Sequence, residues 1–304
     1  MKTMKNVFAT SFASTKRLAT ASFAACLIFL ISCEDKLEFN AKDSASVENE
    51  AAVDGYFEDA DDMSVLVVSA DQGTLSGSRE SASRGIGKDK LDMRFACNTT
   101  TVTLEFASDN TPSIPHGTIT IDFGTDGCTD AKGNVRKGKI RVEFKGRRFL
   151  PGSSIIVTPD GYSINGVTLE GTRTVTNVSS SNSNLKFTIT LVDGKAVWPN
   201  GDDATREVSL TREWDPSTNE WTVTGEASGS NRNDAVYEMK ITKPLVYKRA
   251  CAISNRVFMA VEGTKELTVD GKLITIDYGT GDCDKTVTIT VDGQSKQVDV
   301  RGDV

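Results

Sequence analysis

One histidine, His116, stands in 304 residues. A catalytic zinc commonly takes two or three histidines, so that class of centre has no ligand set. A serine triad needs its histidine beside a nucleophile, and neither a G-x-S-x-G elbow nor a similar motif supplies one to His116 in Pro115-His116-Gly117. No C-x-x-C spacing occurs, which argues against a four-thiolate zinc. No basic stripe is present, so nucleic acid is not an expected partner. No apolar run follows residue 31 that approaches the roughly 20 residues needed to cross a membrane, and the rest of the chain reads as soluble. Alternating helix and strand patterns are missing too, which removes doubly wound and barrel α/β enzymes.

The start of the chain carries the clearest signal. Lys2, Lys5, Lys16 and Arg17 precede an apolar stretch over residues 18–31, and Leu30-Ile31-Ser32-Cys33 closes it. That is the layout of an export signal, and a small residue before a cysteine resembles the lipobox at which bacterial lipoproteins are cleaved and acylated. Residues 1–32 are therefore expected to be a signal peptide, Cys33 the lipidation site, and the membrane a partner through acyl chains worth about 0.8 kcal/mol per buried CH₂. Removing the signal takes the formal net charge from -7 to -11. Residues 34–71 hold twelve Asp or Glu against Lys36 and Lys42, so nearly all of that charge is local, and it reads as a solvated acidic tether.

Within residues 33–90, Val53, Tyr56, Ala60, Met63 and Val67 recur at helical steps, with Glu58, Asp59, Asp61 and Asp62 largely on the other side. One amphipathic helix is expected there, docking on the domain that follows. Residues 71–90, rich in Gly, Ser and Arg, read as a flexible connection. From residue 91 to 304 the chain reads as strands. Period-two alternation marks 102–106, 118–123, 139–144, 185–191, 207–214, 220–224, 273–278 and 286–291. Asp160-Gly161, Asp193-Gly194, Asp270-Gly271 and Asp292-Gly293 read as type I′ hairpin turns. The expected fold is mainly β, an antiparallel meander forming a sandwich or open barrel with one N-terminal helix.

Ile119-Thr120-Ile121-Asp122-Phe123-Gly124-Thr125 recurs as Ile274-Thr275-Ile276-Asp277-Tyr278-Gly279-Thr280, and each copy reaches a cysteine three residues later. Cys97 and Cys251 stand upstream at nearly the same offset. Four cysteines in an exported chain favour disulfides, with three possible connectivities. The repeat favours Cys97 with Cys128 and Cys251 with Cys283, because each pair then closes a loop of similar length.

The same segments carry a family resemblance. Ile121-Asp122-Phe123-Gly124 to Cys128, then Gly133, Arg136, Gly138 and Ile140, Tyr162 to Gly166 and Glu170-Gly171 resemble an uncharacterised family of Bacteroidetes lipoproteins. Thr224-Gly225, Ile241 to Leu245, Cys251 and Asp277-Tyr278-Gly279 to Cys283-Asp284 are similar to that family's closing segment, and Gly281-Asp282 departs from it. The resemblance brings no activity or cofactor. Glu34 and Asp35, just after Cys33, resemble the surface-export signal of such lipoproteins, and Asp43-Ser44-Ala45 their short O-glycosylation motif. It implies an outer-membrane lipoprotein displayed on the cell surface.

Binding candidates are few. Trp214 and Trp221 flank residues 215–220 and are placed to face each other across a hairpin, where indoles can stack on sugar rings or simply stabilise the sheet. Trp198 is a third candidate. Asp126, Asp130 and Asn134 offer calcium oxygens without the spacing of an EF-hand, and a turn accounts for them better. Arg301-Gly302-Asp303 matches an integrin tripeptide without supporting context. The resulting expectation is a lipid-anchored envelope protein with a non-catalytic binding or structural role and no cofactor, its partner a glycan or another envelope protein. A glycan-binding module is the first alternative. An envelope enzyme such as a glycoside hydrolase is the second.

Overall fold

The structure, a computed structural model, describes residues 41–72, 84–85, 97, 99–131, 133–181 and 184–300. The signal, Cys33 with Glu34 and Asp35, most of the 71–90 connection and Arg301-Gly302-Asp303 lie outside the described residues. Asp71 itself belongs to the first helix.

That helix, α1 (Ala41–Gln72), precedes β1 (Arg84–Gly85), β2 (Thr101–Phe106), β3 (His116–Asp122), β4 (Cys128–Thr129), β5 (Val135–Lys145), β6 (Ser154–Ile164), β7 (Val167–Asn177) and β8 (Lys186–Val197). There follow β9 (Asp203–Asp215), β10 (Glu220–Ser230), β11 (Val236–Lys248), the short α2 (Arg249–Asn255), β12 (Glu262–Val269), β13 (Lys272–Thr280), β14 (Thr286–Val291) and β15 (Gln294–Asp299). All strands join one antiparallel sheet in chain order, with the two-residue β4 set aside on β5. The sheet does not close, and β1 and β15 are its edges. The expected mainly β meander is what forms, an unclosed antiparallel sheet that fits a sandwich or open barrel.

Alternation drives the fold. In β2, Val102 and Leu104 face inward between exposed threonines and Glu105, and β5 buries Ile140, Val142 and Phe144 in the same rhythm. These residues share one core with Val53, Phe57 and Ala60 of α1, so the helix lies against the apolar face of the sheet. The stripe predicted from sequence is partly right: Val53 and Ala60 are buried, Tyr56 is half-buried, and the deepest aromatic is Phe57. The side chains of Met63 and Val67 lie outside the described residues.

Two of the four Asp-Gly pairs are turns. Asp270-Gly271 joins β12 to β13 and Asp292-Gly293 joins β14 to β15, each with both residues at positive φ as a type I′ turn requires. Asn165-Gly166 makes a third such turn between β6 and β7. Asp160-Gly161 and Asp193-Gly194, expected as turns, instead lie inside β6 and β8 beside shifts of register. There the extra residue of a β-bulge bends the strand. At Gly138 (φ 76°) a Cβ would stand 2.0 Å from the Gly161 carbonyl oxygen, so glycine is required where β5 and β6 cross their bulge. Gly225 (φ 126°) does the same opposite the Ser209 carbonyl on β9. These bends coil a long sheet onto a helix.

Cys97 bonds Cys128 and Cys251 bonds Cys283, with Cα atoms 5.8 and 5.0 Å apart. The sequence repeat is thus a hairpin stapled by a disulfide, β2–β3 in one copy and β12–β13 in the other. The copies differ in the hairpin connection, nine residues in the first and the two-residue Asp270-Gly271 turn in the second.

Candidate functional site: an aromatic rim and a charged seam

The tryptophans meet as expected. Trp214 on β9 pairs in register with Trp221 on β10, which pairs in turn with Tyr247 on β11. The two indole centroids are 5.0 Å apart and tilted by 46°. Both side chains share the sheet face of Val208, Leu210 and Val223, so this rung is the outermost layer of the inward face, where the core opens to solvent. The hairpin is closed by Asp215, whose Oδ1 accepts from the Ser217 N–H and hydroxyl, and by Asn219 at φ 60°. Phe187 supports Trp221 from behind at 6.1 Å, and the Arg212 guanidinium lies 5.9 Å from the same ring.

Both indoles remain half-buried. A cleft of about 500 Å³ opens on one side, lined by Trp214, Trp221, Tyr247, Phe149, Phe258 and Lys248 among others. Phe258 is 77% exposed. A second cleft of about 700 Å³ passes on the other side of Trp214, beside Lys186, Glu213 and Asp215. Trp198 stands apart. Tyr56 of α1 meets it edge-on at 6.4 Å and Arg232 covers its face at 4.4 Å, so it is an anchor for the helix.

Three arginines are buried among the described residues, Arg136, Arg173 and Arg206, and the first and last of them meet α1. Arg136 donates both terminal nitrogens to Asp59 of α1, at 2.5 and 2.9 Å, its Nε to Asp130 at 3.1 Å and its Nη1 also to the Tyr162 hydroxyl. Arg206 donates to Glu50 at 3.0 Å, to the Tyr237 hydroxyl at 3.2 Å and to Asp54 at 2.8 Å. Lys265 on β12 completes the group by donating to the other Glu50 oxygen at 2.9 Å. The acidic stretch around α1 is therefore not uniformly a solvated tether, and Asp59 does not lie on the outer side. Glu50, Asp54 and Asp59 turn inward because the sheet presents cations to them.

Burial alone would raise the Glu50 carboxyl, but the ammonium of Lys265 and the guanidinium of Arg206 outweigh it and hold it at about 2. Asp130 is likewise held below the usual carboxylate range against its burial, by the Asn134 backbone and side-chain amides and by Arg136. The loop of Asp130 and Asn134 is thus a turn that braces Arg136. Burial pushes the Tyr237 and Tyr278 hydroxyls up. A signal for the arginines exists in the sequence: Arg136 falls on the face of Ile140 and Val142, and Arg206 on that of Ala204 and Val208.

His116 Nε2 lies 2.6 Å from Asp109 and Nδ1 3.1 Å from the Ile114 carbonyl. Two acceptors facing both ring nitrogens suit the imidazolium, and the hydrogen bond to Asp109 raises the His116 pKa. Among the described residues no group of three His, Cys, Asp or Glu side chains could hold a metal ion. No helix among them is long and apolar enough to cross a membrane. Comparison with protein-family models, with curated proteins and with solved structures finds no match.

Proposed function

We propose that this chain is a lipid-anchored protein of the cell envelope that acts by binding, and that the ligand is a carbohydrate held at the Trp214–Trp221 rung. The anchor, the outer-membrane location and surface display rest on the sequence of residues 1–35. The observation that carries the binding site is the aromatic rung: two tilted, half-buried indoles at the open end of the core, with a cleft on each side. Aromatic faces stack on the C–H surfaces of sugar rings, while Lys186, Glu213, Asp215 and Lys248 along the clefts supply donors and acceptors for hydroxyls. A rigid β hairpin positions these groups without a folding cost on binding.

A glycan array tests the reading. We expect binding by the parent chain, weakened by about 1 kcal/mol or more in Trp214→Ala and in Trp221→Ala, with both variants still folded. An array without hits favours a structural envelope role instead. Turnover of a polysaccharide by the purified chain would overturn the non-catalytic reading.

A further inference from the structure

Phe149 and Phe258 are the exposed aromatic side chains among the described residues, and both line the same cleft beside the tryptophans. Phe149 lies in the β5–β6 connection with Leu150, and Phe258 in the β11–β12 connection with Ile253, which is 71% exposed. In an antiparallel sheet that follows chain order, every second connection falls at the same end, so both connections share an end with the Trp214–Trp221 hairpin. Val178, where β7 leaves that end, is exposed as well. Apolar side chains thus stand out into solvent from two loops on either side of the rung. Isolated exposed residues need no explanation, but a patch gathered at one end marks an interaction surface.

Charge identifies what the patch meets. In a chain of net charge -7, residues 146–153 carry Arg147 and Arg148 and no acid, and residues 249–261 carry Arg249 and Arg256 and no acid. Arg147, Arg249 and Arg256 are exposed, and none of the three is in an ion pair among the described residues. Arg148 lies 5.3 Å from the Phe149 ring. Acids of the neighbouring hairpin are engaged: Glu213 with Lys186 at 2.6 Å, Glu220 with Lys248 at 3.9 Å and Asp215 with Ser217. The Cys251–Cys283 bond ties residues 281–285 to α2 and adds Lys285 against Asp282 and Asp284, the latter accepting from the Thr286 N–H. The balance stays positive. A polyanion would use the arginines and leave the phenylalanines in water, whereas an apolar protein face would bury the phenylalanines and strand the arginines. An anionic bilayer takes both, because guanidinium groups reach lipid phosphates while apolar side chains enter just beneath them.

We propose that this end of the sheet docks on a negatively charged lipid bilayer, with Phe149, Leu150, Ile253 and Phe258 entering below the headgroups and Arg147, Arg249 and Arg256 resting on lipid phosphates. The proposal goes beyond the carbohydrate reading and does not rest on it. Since the tryptophan hairpin stands between the two loops, a carbohydrate held there in the docked state is one presented at the same surface.

Photo-labelling of the full chain on vesicles tests it, with phosphatidylglycerol carrying a diazirine in its acyl chain as probe and peptide mass spectrometry as readout. Adducts are expected on residues 149–150 and 253–258. Val236 and Leu273, also exposed but at the opposite end of the sheet, should take at least tenfold fewer. An arginine near an anionic surface strengthens attachment roughly fivefold, so Arg147→Gln combined with Arg249→Gln should cut labelling of both loops by about twentyfold. Replacing the bulk lipid with phosphatidylcholine should lower it at least tenfold in the parent chain. Adducts absent from the two loops, equal labelling of Val236 and Leu273, equal labelling on phosphatidylcholine, or full labelling of the double variant would each overturn the proposal. Arginine-dependent retention on heparin without lipid labelling would overturn it too, and would assign the arginines to a polyanion. The lipid comparison needs no variant, and a glycan array reads the tryptophan rung separately, so either reading can fail alone.

Discussion

Replacing Glu50 with glutamine probes what holds α1 to the sheet. Glutamine keeps the volume and a carbonyl acceptor for Arg206, and Asp54 still holds that guanidinium, so the change removes charge without opening a cavity. The Glu50 carboxyl sits at about 2 against an ordinary 4.5. At 1.36 kcal/mol per unit this corresponds to roughly 3 kcal/mol of stability at neutral pH, in line with the 3–5 kcal/mol typical of breaking a buried ion pair. For a domain of this size, 1 kcal/mol moves Tm by about 2–4 °C, so Glu50→Gln should melt roughly 6–12 °C below the parent. The pH dependence has a definite sign. A carboxyl with a depressed folded pKa contributes fully above its unfolded value and loses that contribution as pH falls through the folded one. The gap between parent and variant should therefore be full above pH 4.5 and close as pH falls to about 2. Urea and thermal denaturation followed by circular dichroism at several pH values would measure it. A variant as stable as the parent at pH 7, or a gap that persists unchanged at pH 2, would refute the reasoning. Glu48→Gln, on the exposed side of the same helix, is the control and should stay within about 0.5 kcal/mol of the parent.

Removing both Cys251 and Cys283 as serines should cost about 4 kcal/mol by loop-closure entropy for a separation of 32 residues, and removing Cys97 and Cys128, separated by 31, nearly the same. Urea midpoints compare them, and a large disparity would show that something other than loop closure dominates. Cys33→Ser should move the protein from the membrane to the soluble fraction. Membrane retention equal to the parent's would end the lipoprotein reading.

The strands were legible where alternation is clean, as in β2, β3, β5, β8, β9, β10, β13 and β14, each of which overlaps a segment predicted from period two. They were illegible where a bulge resets the period. In β6, Pro159, Asp160 and Gly161 interrupt the pattern of Ile155 and Val157, and β11 carries register shifts on both sides of Lys243. A glycine at positive φ serves a turn and a bulge equally well, so Asp-Gly alone cannot distinguish Asp160-Gly161 from Asp270-Gly271; the difference lies in what the partner strand does. The Trp214–Trp221 pair was readable because five residues between two alternating runs leave room for little but a hairpin. The charged seam was not, since its ion pairs between α1 and the sheet join residues 77 to 215 positions apart and no local pattern relates Glu50 to Lys265.

The spacing of the seam explains how the helix finds its place. Among the described side chains of α1, the buried apolar residues are Val53, Phe57 and Ala60, and ion pairs add a second constraint on how the helix is set. Glu50 and Asp54 stand one turn apart and both serve Arg206, while Asp59 serves Arg136. Consider a slide of the helix by four residues, about 6 Å, toward its C-terminal end. Glu50 would take the place of Asp54 and still face Arg206, but Ser46 would replace Glu50 opposite Lys265 and Gly55 would replace Asp59 opposite Arg136. Arg136, with no exposed side-chain surface, would lose its bidentate partner and keep Asp130 as its one carboxylate. The amide of Asn49 would also be driven into the apolar position of Val53, where an unpaired polar group is costly. Stranding a buried charge in this way costs several kcal/mol, whereas the correctly paired seam adds little beyond what apolar residues of equal size would give. The arginines therefore act mainly by penalising wrong registers, and two of them, set apart along the sheet, are needed because one alone is satisfied by either Glu50 or Asp54.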